Sequence, residues 1–162
     1  MSRTGRLTLV RDACRYLGAL SVLLVGAVHA QQYYQAYFSV VPVIGTLFLL
    51  SFVGSGVTGV ALLAPVKRLL PKLGDALLVL AALGAIGIAL GSLVSLLVSE
   101  YTPLFGFMES GYRLAVVLAI VFDATTTVFL AVFIALVLRT GQRQEEATVH
   151  DFPMTTPERK AS

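Results

Sequence analysis

Residues 114–138 read LAVVLAIVFDATTTVFLAVFIALVL. The stretch holds a single chargeable side chain, Asp123, and neither proline nor glycine. A helix needs about 20 apolar residues to cross the hydrocarbon core of a bilayer, so this one is long enough. Its apolar residues follow no two-residue alternation, which argues against a barrel strand. Lipid leaves only a helix or a closed barrel to satisfy the backbone. The stretch predicts a transmembrane α-helix.

Three more runs of the same kind lie upstream, at about 16–34, 37–64 and 76–98. The predicted fold is all-α, an integral membrane antiparallel four-helix bundle. It divides into a basic interfacial segment (1–15), the four-span domain (16–138) and a polar tail (139–162). Composition agrees. Of the 162 residues, 57% are hydrophobic and 13% charged, and mean hydropathy is +0.85. Soluble domains carry roughly 25% charged residues, and so small a globule has a large surface to cover with polar groups. A soluble enzyme, a nucleic-acid-binding domain and a disordered chain are excluded. The net charge of +3 does not point to nucleic acid, because the basic residues sit at the ends of apolar runs. The one cysteine, Cys14, allows no intrachain disulfide.

Lys and Arg give the orientation. Arg3, Arg6, Arg11 and Arg15 precede the first span. Lys67, Arg68 and Lys72 lie between the second and third, and Arg139, Arg143, Arg159 and Lys160 follow the fourth. Only Arg113 lies on the other side. Both termini are therefore predicted to be cytoplasmic, in the plasma (inner) membrane. Val28-His29-Ala30 before Gln31 also resembles a signal-peptide cleavage site, which would leave three spans. The short uncharged turn into the second span suits a helical hairpin instead.

Leu7, Val10, Cys14 and Leu17 recur at helical spacing with Arg11 and Arg15 on another face, as in an interfacial helix with snorkelling arginines. Pro65 should end the second span. Pro42 and Gly45 should distort its start. Thr102-Pro103 suits the cap and first position of a short helix. Tyr33, Tyr34, Tyr37, Phe38, Tyr101, Phe105, Phe107 and Tyr112 form an aromatic belt. The tail, mixed in charge and holding Pro153 and Pro157, should be disordered in isolation.

Small residues mark close helix approach in lipid. Ser51, Ser55 and Gly59 recur every four residues in the second span, and Gly87, Gly91, Ser95 and Ser99 in the third. The fourth repeats Ala115, Ala119, Asp123, Thr127, Ala131 and Ala135. These stripes predict a compact bundle within one chain, or a homodimer face at Gly87-x-x-x-Gly91.

An ionised carboxylate at the bilayer centre costs roughly 2.5–3.5 kcal/mol on insertion scales. Asp123 must therefore face the bundle interior, pair, or take up a proton. Thr126 and Thr127 lie within local reach, and Thr46, Ser51 and Ser55 are candidate cross-helix partners. Arg113, ten residues earlier on the same helix and so about 15 Å away, is too far for a direct bridge. His29 either contacts Asp123 or joins an outer cluster with Glu100, Glu109 and Arg113. The acid is then either a proton or cation site with His29 as relay or a hydrogen-bonded group that fixes helix register.

The segments Val41-Pro42-Val43-Ile44-Gly45, Pro103-Leu104-Phe105-Gly106-Phe107-Met108-Glu109 and Gly111-Tyr112-Arg113, with His29 before them and an acid inside the last span, carry a likeness. The chain resembles small, uncharacterised four-span membrane proteins of high-GC Gram-positive bacteria. That resemblance covers about 16–138 and implies the topology and nothing catalytic. It draws interest to His29, Glu109, Arg113 and Asp123.

No phosphate loop, nucleotide fingerprint, zinc spacing or Ser-His-Asp set is present in the sequence. The expectation is a non-enzymatic integral membrane protein without a cofactor, an accessory or interaction subunit. Its partners would be the lipid bilayer and a second copy or another membrane protein, with no nucleic acid. The alternative is a small oligomeric proton- or cation-coupled transporter using Asp123. A quinone or haem oxidoreductase is a more remote expectation, since His29 has no second histidine inside the membrane.

Overall fold

A computed structural model describes the backbone of residues 3–36, 38–105 and 113–150, with side chains at 5–36, 39–105 and 113–142. The helices are α1 (Arg3–Gln35), α2 (Pro42–Leu63), the single turn α3 (Val66–Leu69), α4 (Gly74–Tyr101) and α5 (Leu114–His150), with a 3₁₀ turn at Phe38–Val40. Four of them are long and apolar enough to cross a membrane, which marks the chain as a multi-pass membrane protein. Around the bundle α1 packs on α2, α2 on α4, α4 on α5, and α5 back on α1. The result is an up-down-up-down all-α bundle. One end, the basic end, carries α3, the start of α1 and the end of α5. The other, the aromatic end, carries the 3₁₀ turn and residues 102–105.

The sequence explains where most helices start and stop. Pro42 occupies the first helical position of α2, where its missing N–H is no loss and its φ is already helical. It therefore starts the helix, five residues later than expected, and Gly45 donates its N–H to the Val41 carbonyl at 2.7 Å. α2 stops at Leu63 because Ala64, the residue before Pro65, turns extended. Thr102 ends α4 and does not open a new helix. Its N–H and hydroxyl both return to the Val98 carbonyl.

The outer helices are longer than the apolar runs within them. α1 begins at Arg3, so the basic segment is the opening of the same helix. α5 continues to His150, because 139–150 is rich in good helix formers and a helix once nucleated extends cheaply. The rest of the tail, with Arg159 and Lys160, lies outside the described residues, as do Tyr37, Phe107 and Tyr112.

Close approach in the bundle is set by glycine. A Cβ on Gly26 would meet that of Ser55 at 3.0 Å, and one on Gly59 would meet Leu23 at 2.7 Å. Gly54 faces Ile88 and Gly18 faces Leu130 in the same way. The apolar core lies toward the basic end, where Cys14, Ala19, Val22, Leu62, Leu78, Ala82, Ala85, Leu130 and Phe133 are buried together. α4 packs through Leu78, Ala82, Ala85 and Ala89. Its glycine stripe faces elsewhere: Gly87 and Gly91 are exposed, and a methyl group added at either would meet no neighbouring helix within 4 Å.

Candidate functional site

Arg15 and Ser21 are buried at the level of this core, and the other buried polar side chains, His29, Gln32, Ser55, Ser99, Asp123 and Thr126, lie around and beyond its upper edge, toward the aromatic half. Asp123 on α5 is fully buried. His29 on α1 is 6% exposed, with its ring 5.3 Å from that of Phe48 on α2. Its Nδ1 lies 2.8 Å from the Val25 carbonyl, one turn back. A carbonyl only accepts, so Nδ1 carries the proton and Nε2 is turned outward across the bundle. There it meets the Ser92 hydroxyl of α4 at 3.4 Å. The same hydroxyl stands beside the Asp123 carboxyl, short of a completed hydrogen bond, since neither carboxyl oxygen has a partner. His29 and Asp123 are thus brought together through Ser92, with no direct contact needed.

Around Asp123 more polar groups stand unpaired. Ser55 Oγ on α2 and Thr126 Oγ1 on α5 are buried without a hydrogen-bond partner. The crossings of Gly26 with Ser55 and of Gly18 with Leu130 put both hydroxyls near the level of Asp123 along the bundle. Together with the two carboxyl oxygens they make four unsatisfied buried oxygens, in a part of the molecule where water is scarce and an orphaned polar group is costly. Thr127 does not help, because its hydroxyl turns back to the Asp123 backbone carbonyl at 2.9 Å. Thr46 likewise bonds the Pro42 carbonyl. Ser51 is half-buried.

A half-open cavity of about 300 Å³ occupies the aromatic half, above this layer. Its walls are mostly apolar, from Val28, Ile44, Phe48, Ile88 and Leu96 among others. His29, Gln32, Ser51, Ser92, Ser95 and Ser99 give it polar points, a mixture typical of ligand cavities. Gly87 and Gly91 form part of its wall, so the absence of side chains there makes room for the cavity.

The other expected residues fall elsewhere. Glu100 is half-buried at the end of α4, and Arg113 is exposed just before α5. Glu109 lies outside the described residues. Ala119 is half-buried on the cavity wall, and Ala131 is exposed. Ser55 and Gly59 are buried where α1 meets α2. Sequence reasoning does not single out Ser92, Gln32 or Phe48. A signal for Ser92 exists, since Ser92, Ser95 and Ser99 follow helical spacing on one face of α4.

Among the described residues no three His, Cys, Asp or Glu side chains gather as a metal site would require. One carboxyl, one imidazole and several hydroxyls suit a proton or a monovalent cation better than a divalent metal. Compared with family models, with curated proteins and with solved structures, the chain finds no match in any of the three.

Proposed function

We propose that this chain is the unit of a small proton- or cation-coupled transporter of the plasma membrane, with both termini cytoplasmic and no enzymatic activity. Asp123 is its binding group. The observation that carries this is the line His29–Ser92–Asp123, running from the cavity wall to a buried carboxyl with no complete hydrogen bond. An ionisable group inside a membrane span is a functional candidate by default.

The chemistry follows from one hydroxyl. Ser92 has a single proton to donate and lone pairs to accept with. With Asp123 protonated, the acid donates to Ser92 and Ser92 donates to His29 Nε2. With Asp123 ionised, Ser92 turns and donates to the carboxylate. The two states differ by one proton: a proton taken up from the cavity at His29 Nε2 passes to the Ser92 oxygen as Ser92 hands its own proton to Asp123, and once Asp123 has released that proton, rotation of the Ser92 hydroxyl back toward the carboxylate resets the relay. A monovalent cation would use the same carboxylate, with the unpaired hydroxyls of Ser55 and Thr126 as further oxygens.

The test is reconstitution into liposomes carrying an interior pH dye, with an imposed pH difference and sodium or potassium outside. The wild-type chain should dissipate the difference. Asp123→Asn should abolish that flux, and Ser92→Ala should slow it by about 10²-fold, within the range for a positioned proton-transfer group. No flux from the wild type, or flux untouched by Asp123→Asn, removes the proposal.

A second reading has its own support. Gly87 and Gly91 leave bare backbone on α4 with open space before them, the kind of surface on which a partner helix settles in lipid. On that reading the chain is an accessory subunit. Gly87→Leu would then abolish co-purification of a membrane partner, and the wild-type chain alone would carry no proton flux.

A further inference from the structure

At the basic end a second cleft opens, of about 290 Å³, lined by Arg15, Tyr16, Pro65, Lys67 and Arg68. Its base is an unusual cation. Arg15 is only 8% exposed, and its guanidinium donates Nε–H to the Leu62 carbonyl and an Nη2–H to the Ala64 carbonyl, both at 2.6 Å. The Leu62 carbonyl is one that the end of α2 leaves without a helical partner, and the Ala64 carbonyl, just past that end, also accepts the Val66 N–H, so Arg15 caps α2 from a neighbouring helix. Its carbon Cζ lies 5.2 Å from the centre of the Tyr16 ring.

Carbonyls satisfy hydrogen bonds but do not cancel charge. The two ion pairs among the described residues join Arg11 to Asp12 and Lys67 to Asp75. Neither carboxylate reaches Arg15, and Arg68 has no acidic partner among the described side chains. A guanidinium has five N–H donors. Two are spent on α2, leaving three for the cleft. A buried cation without a counter-charge is strongly disfavoured, and guanidinium geometry matches phosphate oxygens best.

We propose that this cleft holds the phosphate of an anionic phospholipid headgroup. Arg15 forms the floor, Arg68 the rim, and Lys67 adds charge while keeping its hold on Asp75. The surroundings favour a lipid over a free anion. Leu69, Leu70 and Leu73 on and after α3, and Leu17 and Leu20 on α1, are all large, apolar and exposed on the flanks of the cleft, where acyl chains would lie. Basic pockets between spans are a recurrent means of headgroup recognition. This inference does not depend on the function proposed for Asp123.

The test uses the full chain purified in mild detergent, titrated with phosphatidylglycerol or phosphatidylcholine, and read by thermal melting and by native mass spectrometry for retained lipid. Phosphatidylglycerol should raise the melting temperature and stay bound, and phosphatidylcholine should do neither. Arg68→Gln, which leaves the α2 cap and the Lys67–Asp75 pair intact, should weaken phosphatidylglycerol binding about fivefold, as expected for loss of one interfacial cation. Arg139→Gln, an exposed cation near the same end but outside the cleft, should leave binding unchanged. Equal loss in the two variants would mean diffuse charge attraction and overturn the site. An unchanged affinity in Arg68→Gln, or the same stabilisation from inorganic phosphate alone, would overturn it as well.

Discussion

Asp123 and Ser92 show how differently two residues announce themselves. An acid inside twenty-five otherwise uncharged positions stands out in the sequence, because an ionised group in hydrocarbon needs a reason. A serine in such a helix does not, since its hydroxyl can return to its own backbone, as those of Thr58, Thr127 and Ser99 do here. Only the crossing of α1, α4 and α5 makes Ser92 the link between an imidazole and a carboxyl. Arg15 is hidden in the same way: its spacing suggests snorkelling to the surface, whereas its partners lie 47 and 49 positions later in the chain. The unpaired hydroxyls allow a prediction at this scale. Ser55→Ala and Thr126→Val each remove a buried group that bonds to nothing among the described residues. Each should therefore leave stability unchanged or raise it by about 1 kcal/mol, measured by unfolding in mixed micelles, while lowering any cation selectivity of the site.

At the scale of helices, the number and type of elements are legible in the sequence and their ends are not. Length and apolarity fix four spans, but caps depend on single residues. Pro42 starts α2 where its sequence context suggests a distortion, and Thr102 closes α4 where Thr102-Pro103 suggests an opening. The small-residue stripes are equally visible, and periodicity alone does not separate their uses. Ser55 and Gly59 serve the α1–α2 contact, whereas Gly87 and Gly91 make space. These uses separate by mutation. A Cβ at Gly74 would lie 2.8 Å from the Lys67 Cα, so the backbone of α3 must move to admit it. Gly74→Ala should destabilise the fold by about 1–3 kcal/mol, the usual range for overpacking. Gly87→Ala meets open space, and the better helix propensity of alanine should make it neutral or stabilising by up to about 1 kcal/mol. Thermal denaturation of both variants in one detergent checks the contrast.

For the whole molecule, four antiparallel helices put the start of α1 and the end of α5 at one end of the bundle, and the Lys and Arg distribution leads to the expectation that this end is cytoplasmic. Fusions of a cytoplasm-active reporter to either end should both be active, and a periplasm-active reporter silent at both. Opposite results at the two ends would break this bundle. The helices also differ in reach. α2, with 22 residues, is about 33 Å long and matches the hydrocarbon thickness, while α1 and α5, with 33 and 37 residues, extend well past it.

The packed core below Asp123 has one more consequence. Leu62, Leu78, Leu130 and Phe133 are packed together in the half of the bundle next to the basic end, on the far side of Asp123 from the cavity. On the proposed transport role, an ion that reached Asp123 from the cavity would find these packed side chains in front of it and could go on toward the basic end only if they parted. Passage would then be a stepwise exchange tied to movement of the helices in place of a continuous current.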